Sequence, residues 1–304
     1  MKIGIMGTGG VGGYYGGLLA RSGHDVVFIA RGEHLKAIRD HGLEVRSIFG
    51  DFRIVPAAAT DDPSSAGPFD IILFTTKTYH LSEAARLILP AVGPDTVVVP
   101  FQNGIDAAEQ IGSVIGSKHM LGGVTYLSAA IEKPGVIGQY SQFRRIVVGE
   151  LDGKITARAH SVYEVLKTTG VDVELVDDIL QALWTKFVFI AAISALGGLT
   201  RVATGDYRNI PETRKVLTDA LQEVVSVGLA GGVSLAPDLV KKTLEFIDSA
   251  PADMKPSMQR DIEAGRRIEL ESIIGVLVRL GTESNVPVPV MTFTYAALKP
   301  SEKE

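Results

Sequence analysis

A chain of 304 residues with 46% hydrophobic and 21% charged residues carries enough apolar side chain for two ordinary globular domains, and this composition excludes a disordered or fibrous protein. The formal net charge of -5 argues against a general binder of phosphate backbones, which displays a clustered excess of Lys and Arg, so nucleic acid is not an expected partner. Cysteine is absent, which excludes disulfides, thiolate chemistry and Cys-based zinc sites, and the 6 histidines have no metal-ligand spacing, so no metal is expected.

Along the first half, short β-branched runs at 2–6, 26–30, 71–75, 96–100 and 146–149 alternate with amphipathic stretches at 11–22, 34–40, 81–91 and 105–115. Strands that alternate with helices predict a parallel sheet with crossover connections. Residues 156–176 finish this first domain, and from 177 the strand signal stops. The stretches 177–199, 210–230, 237–249 and 257–281 all read as helices at a 3.6-residue period. The expected architecture is therefore α/β: an N-terminal Rossmann-type parallel-sheet domain over 1–176, followed by an all-α domain over 177–304. The tail after Pro300 is polar and expected to fray. Glycines at 7, 9, 10, 12 and 13 interrupt the apolar start, which argues against a secretory signal, and the longest apolar stretch, 187–199, is too short to span a bilayer. A cytoplasmic location with no membrane partner is expected, and a homodimer stays open.

Directly after the first strand, Gly7, Thr8, Gly9, Gly10, Val11 and Gly12 spell GTGGVG and open a helix. In that setting the glycines at 7, 9 and 12 serve a tight turn, close approach of backbone to a pyrophosphate, and close helix–strand contact. The helix N-terminus then faces the anion. The second strand ends in Arg31, where an NAD-preferring protein carries an acid; a guanidinium suits a 2′-phosphate, so NADP(H) is the expected cofactor. Lys77, after the third of these strands, is either a second positive charge for that phosphate or an ordinary surface lysine.

The string Phe101-Gln102-Asn103-Gly104 follows the fourth strand, at the sheet edge where open α/β proteins bind ligands; Asn103 is either a turn residue or an amide that orients a substrate. Lys186 lies in a helix apolar around most of its circumference. It is either a structural ion-pair member or an acid–base group whose proton affinity burial has lowered. Glu269 shares the apolar face of the stretch 257–281, and Ser257, twelve residues earlier on that helix if it is continuous, is an N-cap, a substrate contact, or both.

These blocks together resemble the ketopantoate reductase family (2-dehydropantoate 2-reductase) over nearly the whole chain. The matching pieces are GTGGVG, Arg31, Lys77, Gln102-Asn103-Gly104, Trp184-Thr185-Lys186, and the block with Ser257, Asp261, Gly265-Arg266 and Glu269. The resemblance implies NADPH-dependent reduction of ketopantoate to pantoate in pantothenate biosynthesis, with Lys186 as catalytic acid and Glu269 holding the substrate hydroxyl and the lysine. It also implies contacts from Asn103 to cofactor and substrate, and from Ser257 to substrate. Three family asparagines are replaced, by Ile190, Ser194 and Thr204, which favours the chemistry over that particular substrate. The rivals are a reductase of another small 2-oxo acid or ketone, and a non-catalytic NADPH-binding sensor.

Overall fold

The computed structural model describes residues 1–302, in two compact units. The first comprises Met1–Gln102 with Ala107–Ile179, the second Asn103–Asp106 with Leu180 onward. The change falls at Ile179, just after the chain last pairs along the first unit's sheet at Val176, whose N–H donates to the Val148 carbonyl. The short segment Asn103–Asp106 also belongs with the helical unit, which no composition shift announces.

The first unit runs through β1 (Lys2–Met6), α1 (Gly10–Arg21), β2 (Asp25–Ile29), α2 (Gly32–His41), β3 (Leu43–Ser47), β4 (Phe52–Ile54), β5 (Ala58–Thr60), β6 (Phe69–Phe74), α3 (Leu81–Ile88), β7 (Val92–Pro100) and α4 (Ala107–Ile115). It continues through β8 (Gly122–Lys133), β9 (Val136–Gly149), α5 (Ala157–Lys167) and β10 (Asp172–Leu175). Five strands form a parallel sheet in the order β5-β2-β1-β6-β7. β1 and β6 are buried on both faces, which is why they read as unbroken apolar runs. Strand order reverses at β1, so a crevice opens at the carboxyl ends of β1 and β6.

A second sheet, in the order β10-β9-β3-β4 with β8 antiparallel to β9, lies across α1 from the first. Missing side chains on α1 permit this. A Cβ at Gly16 would come within 2.7 Å of Ile5 in β1, and one at Gly13 within 2.6 Å of Ile137 in β9. Of this second sheet the sequence pattern reveals just the end of β9. Residues 126–133 of β8 and 140–145 of β9 are exposed or half-buried and mix charged with apolar residues, so they carry no clean period.

The second unit holds α6 (Ile179–Thr200), α7 (Thr204–Asn209), α8 (Pro211–Ala230), α9 (Leu239–Ser249), α10 (Ser257–Glu263), α11 (Val276–Glu283) and α12 (Pro289–Leu298). α6, which contains the stretch 187–199, is as a whole helix long and apolar enough to cross a membrane by length and composition. Here its side chains, among them Trp184, Phe187, Val188, Ala191 and Leu196, form the core of the unit. α7 and α12 have no counterpart among the expected helices. α7 is six residues long, and α12 is capped from another element: the Glu223 carboxylate of α8 accepts the N–H groups of Val290 (2.8 Å) and Met291 (3.0 Å).

The expected single helix over 257–281 is broken. Gly265 adopts φ +64, its N–H donates to the Ile262 carbonyl, and the Arg266 N–H reaches back to the Asp261 carbonyl at 2.8 Å. This pair of bonds is a Schellman motif, which ends α10. Residues 266–269 then run without helical structure to a π-helical turn at Glu271–Gly275 that leads into α11. At the end of the chain a 3₁₀ turn covers Lys299–Ser301, and residues 303–304 of the tail expected to fray lie outside the described residues.

Candidate active site

The glycine loop leaves β1 with Gly7 at φ +98, a conformation that disfavours any side chain, and a Cβ there would lie 2.8 Å from the Thr76 nitrogen. A Cβ on Gly12 would strike the Gly7 carbonyl and the Thr75 hydroxyl, so this glycine lets α1 close onto the sheet. Gly10 does the same toward β8, where a Cβ would meet the Ala129 carbonyl. Gly9 differs: its backbone is extended, and a Cβ would meet no atom within 4 Å. Protein packing therefore does not require glycine at position 9, whereas approach of a ligand to the backbone does. Among the described residues no side chain caps α1 and no acid stands in its first turn, so the amides of Gly10, Val11 and Gly12 are open to an anion. Thr8 is buried, and both its N–H and its hydroxyl donate to the Ile29 carbonyl at 3.1 Å. Its side chain thus ties the loop to the end of β2.

Two buried polar atoms along the same carboxyl edge have no hydrogen-bond partner among the described residues: Thr76 Oγ1 after β6 and Gln102 Oε1 after β7. Gln102 Nε2 donates to the Thr76 carbonyl at 3.2 Å, so the two sit side by side. Orphaned buried polar atoms are rare, and a bound dinucleotide would satisfy them. Sequence reasoning assigned a role to neither. For Gln102 the signal was its place beside Asn103 at the end of a central strand.

Arg31 caps the start of α2 and pairs with Glu83 of α3, Nη1 to Oε1 at 2.8 Å, while His80 Nδ1 lies 3.3 Å from the other Glu83 oxygen. Lys77 is half-buried and opens the turn Thr78–His80 between β6 and α3. The open Gly9, the uncapped helix, the orphaned Thr76 and Gln102 atoms and the guanidinium after β2 together fit a dinucleotide with a phosphorylated adenosine end.

In the second unit, α6 presents Lys186, whose Nζ donates to Asn103 Oδ1 at 2.8 Å. Burial among apolar neighbours pulls its pKa down from the ordinary lysine value to about 8, and the negative charge of Glu269 acts in the opposite direction. Glu269 is buried, just before the helical turn that follows the break, and its carbonyl accepts the Ile273 N–H. Its charge therefore acts on Lys186 from an irregular segment and not, as the periodicity suggested, from a helix face. The alignment of Ser257 with Glu269 along one continuous helix is lost with that helix. Ser257 is half-buried as the first residue of α10, where Pro256 holds the N-cap position. Asp261 pairs with Arg266 at 2.8 Å across the Schellman turn.

Ile190 follows Lys186 by one turn of α6 and is half-buried; Ser194, two turns on, is buried. Thr204 is fully buried, and its hydroxyl bonds the Met254 carbonyl at 2.9 Å and the Tyr207 hydroxyl at 3.0 Å. Its side chain is thus committed to the fold of the helical unit and not to a ligand.

A parallel sheet with a glycine loop open to a pyrophosphate, in one chain with a helical unit that carries a lysine of lowered pKa, defines a nicotinamide-dinucleotide oxidoreductase. Two family models match, described as ketopantoate reductase PanE/ApbA over residues 3–153 and ketopantoate reductase PanE/ApbA C terminal over residues 178–302. The chain belongs to the ketopantoate reductase family, NADP-dependent oxidoreductases that act on ketones. It is similar to an uncharacterized oxidoreductase of Bacillus subtilis, 29% identical over 100% of both chains. The 2-dehydropantoate 2-reductase of Archaeoglobus fulgidus is 31% identical over 95% of this chain and 94% of its own. Among solved structures, 2-dehydropantoate 2-reductase from Geobacter metallireducens superposes with a TM-score of 0.93 at 31% identity, covering 99% of this chain and 100% of its own. D-mandelate dehydrogenase with NADH and anilino(oxo)acetate shares the fold, with a TM-score of 0.90 at 22% identity, over 99% of this chain and 98% of its own.

Proposed function

We propose that this chain reduces a small 2-oxo acid with NADPH, and that ketopantoate, reduced to pantoate in cytoplasmic pantothenate biosynthesis, is its substrate. The observation that carries the chemistry is Lys186, an ammonium of lowered pKa hydrogen-bonded to Asn103 and within reach of the Glu269 charge. NADPH, when bound, would supply a hydride for the ketone carbon. As the C=O π pair moves onto oxygen, Lys186 donates a proton from Nζ to that oxygen, so that the product is the 2-hydroxy acid. Asn103 keeps the ammonium aimed by accepting one of its N–H bonds, and its amide nitrogen is left to a substrate or cofactor oxygen. Glu269 stabilises the positive charge before transfer and favours reprotonation of the lysine afterwards. Arg31 and Lys77 are the proposed partners of the 2′-phosphate, the amides of residues 10–12 those of the pyrophosphate, and Ser257 a substrate contact.

A second reading keeps the chemistry and changes the acid. Ile190 and Ser194, on the turns of α6 after Lys186, stand where the family resemblance implies amides, and an apolar Ile190 suits a larger or less polar 2-oxo acid. Loss of NADPH absorbance across a panel of 2-oxo acids that includes ketopantoate tests both. Turnover greatest with ketopantoate supports the first reading, and turnover with a bulkier acid alone supports the second. A protein that binds NADPH and consumes it with none of them would be a sensor, contrary to both.

A further inference from the structure

We infer that Glu83 sets how strongly this protein prefers NADPH over NADH, by competing with the 2′-phosphate for Arg31; the inference rests on the proposed role of Arg31 in cofactor binding. β2 and β6 flank β1 in the sheet, so their carboxyl ends stand on either side of the glycine loop. Arg31 follows β2, and Glu83 lies on α3, which follows β6 through the turn Thr78–His80. The ion pair between them, at 2.8 Å, therefore spans the carboxyl edge of the sheet above β1, where the adenosine end of a dinucleotide lies. His80 Nδ1 sits 3.3 Å from the second carboxylate oxygen and keeps that carboxylate on this edge.

A 2′-phosphate carries a charge of about −1.5 to −2 at neutral pH. Glu83 repels it and already occupies one of the guanidinium donors it needs. The neutral 2′-hydroxyl of NADH meets no such repulsion and can donate to the carboxylate, the part that an acid at a strand end plays in NAD sites. One side chain thus handicaps one cofactor and suits the other. Because both partners are about half exposed, at 52% and 59%, the pair is weak enough to open.

Fluorescence titration of the parent, Glu83→Gln, Glu83→Ala and Arg31→Ala with NADPH and with NADH tests this. Both Glu83 variants should bind NADPH about two- to fivefold more tightly, the scale of an exposed ion pair, with NADH affinity unchanged or weaker. Weaker NADPH binding would show that Glu83 positions Arg31 and does not compete for it. Unchanged NADPH binding, or a parallel gain for both cofactors, would equally overturn the inference. Arg31→Ala separates the two levels: if it leaves NADPH affinity unaltered, the cofactor role of Arg31 is wrong and the Glu83 inference goes with it. If NADPH weakens there while the Glu83 variants fail, the Glu83 inference alone is lost.

Discussion

At Lys186 two opposing effects decide the charge: removal from water on a helix that is apolar all round disfavours the ammonium, and Glu269 favours it, leaving a pKa of about 8. Reduction needs the protonated lysine, so kcat/KM should be level at neutral pH and fall about tenfold per unit above about pH 8. Glu269→Gln removes the effect that raises the pKa, so the alkaline limb should move to lower pH; a limb that stays put or moves upward would exclude this pairing. Lys186→Ala should lower turnover by roughly 10²–10⁴-fold with NADPH affinity retained. For stability the sign is opposite to that of an ordinary paired lysine. The folded pKa lies below 10.5, so the charged form burdens the fold at neutral pH and the burden is relieved as pH rises from about 8 to 10.5. Lys186→Met should therefore melt at or above the parent temperature at pH 7, and a clear fall would mark a structural ion pair. At Ile190, replacement by Asn should raise kcat/KM for ketopantoate if an amide on that turn of α6 recognises the substrate. Brisk turnover of ketopantoate by the parent, unimproved by the change, would remove Ile190 from substrate selection. The lowered proton affinity of Lys186 was legible because an ammonium in an apolar helix is conspicuous. The bond from Thr204 to the Met254 carbonyl was not legible, because residue type says nothing of a partner 50 positions away.

Among the elements, the break between α10 and α11 has the most consequence, because it decides how Glu269 is held. Gly265 inside an apolar-periodic stretch reads as a tolerated defect, yet its positive φ makes it the end of a helix. Gly265→Ala should cost about 1–2 kcal/mol, the penalty of a left-handed conformation with a Cβ, read as a lower melting temperature. It should also depress kcat more than NADPH affinity, since the turn precedes the segment that carries Glu269. Equal stability of parent and variant would mean that the turn rearranges freely. The β8–β9 hairpin escaped notice for a different reason. Strands are readable from sequence where both faces are buried or one face alternates, and residues 126–133 of β8 and 140–145 of β9 do neither.

Across the molecule, each unit encloses its own core, with one hydrophobic cluster in the helical unit and two on opposite faces of the parallel sheet. Saturation with NADPH at a hundredfold its Kd should stabilise the folded chain by about 2.7 kcal/mol through mass action. In calorimetry the shift should appear in the transition of the sheet unit and should shrink for Arg31→Asp. A shift confined to the helical transition would contradict placement of the cofactor on the glycine loop.

The amino-acid sequence by itself determined what contiguous residues can encode. The glycine turn and the open helix start depend on φ angles and missing side chains within six positions, and the helical second half follows from its period. The tertiary structure decided what depends on strand order and chain reversal. The Arg31–Glu83 pair joins residues 52 apart, Lys186 meets Asn103 across 83, and the Thr76 and Gln102 atoms fall together because β6 and β7 are neighbours. No local periodicity carries such information, because which strands become neighbours is settled by the packing of the whole sheet and its crossovers.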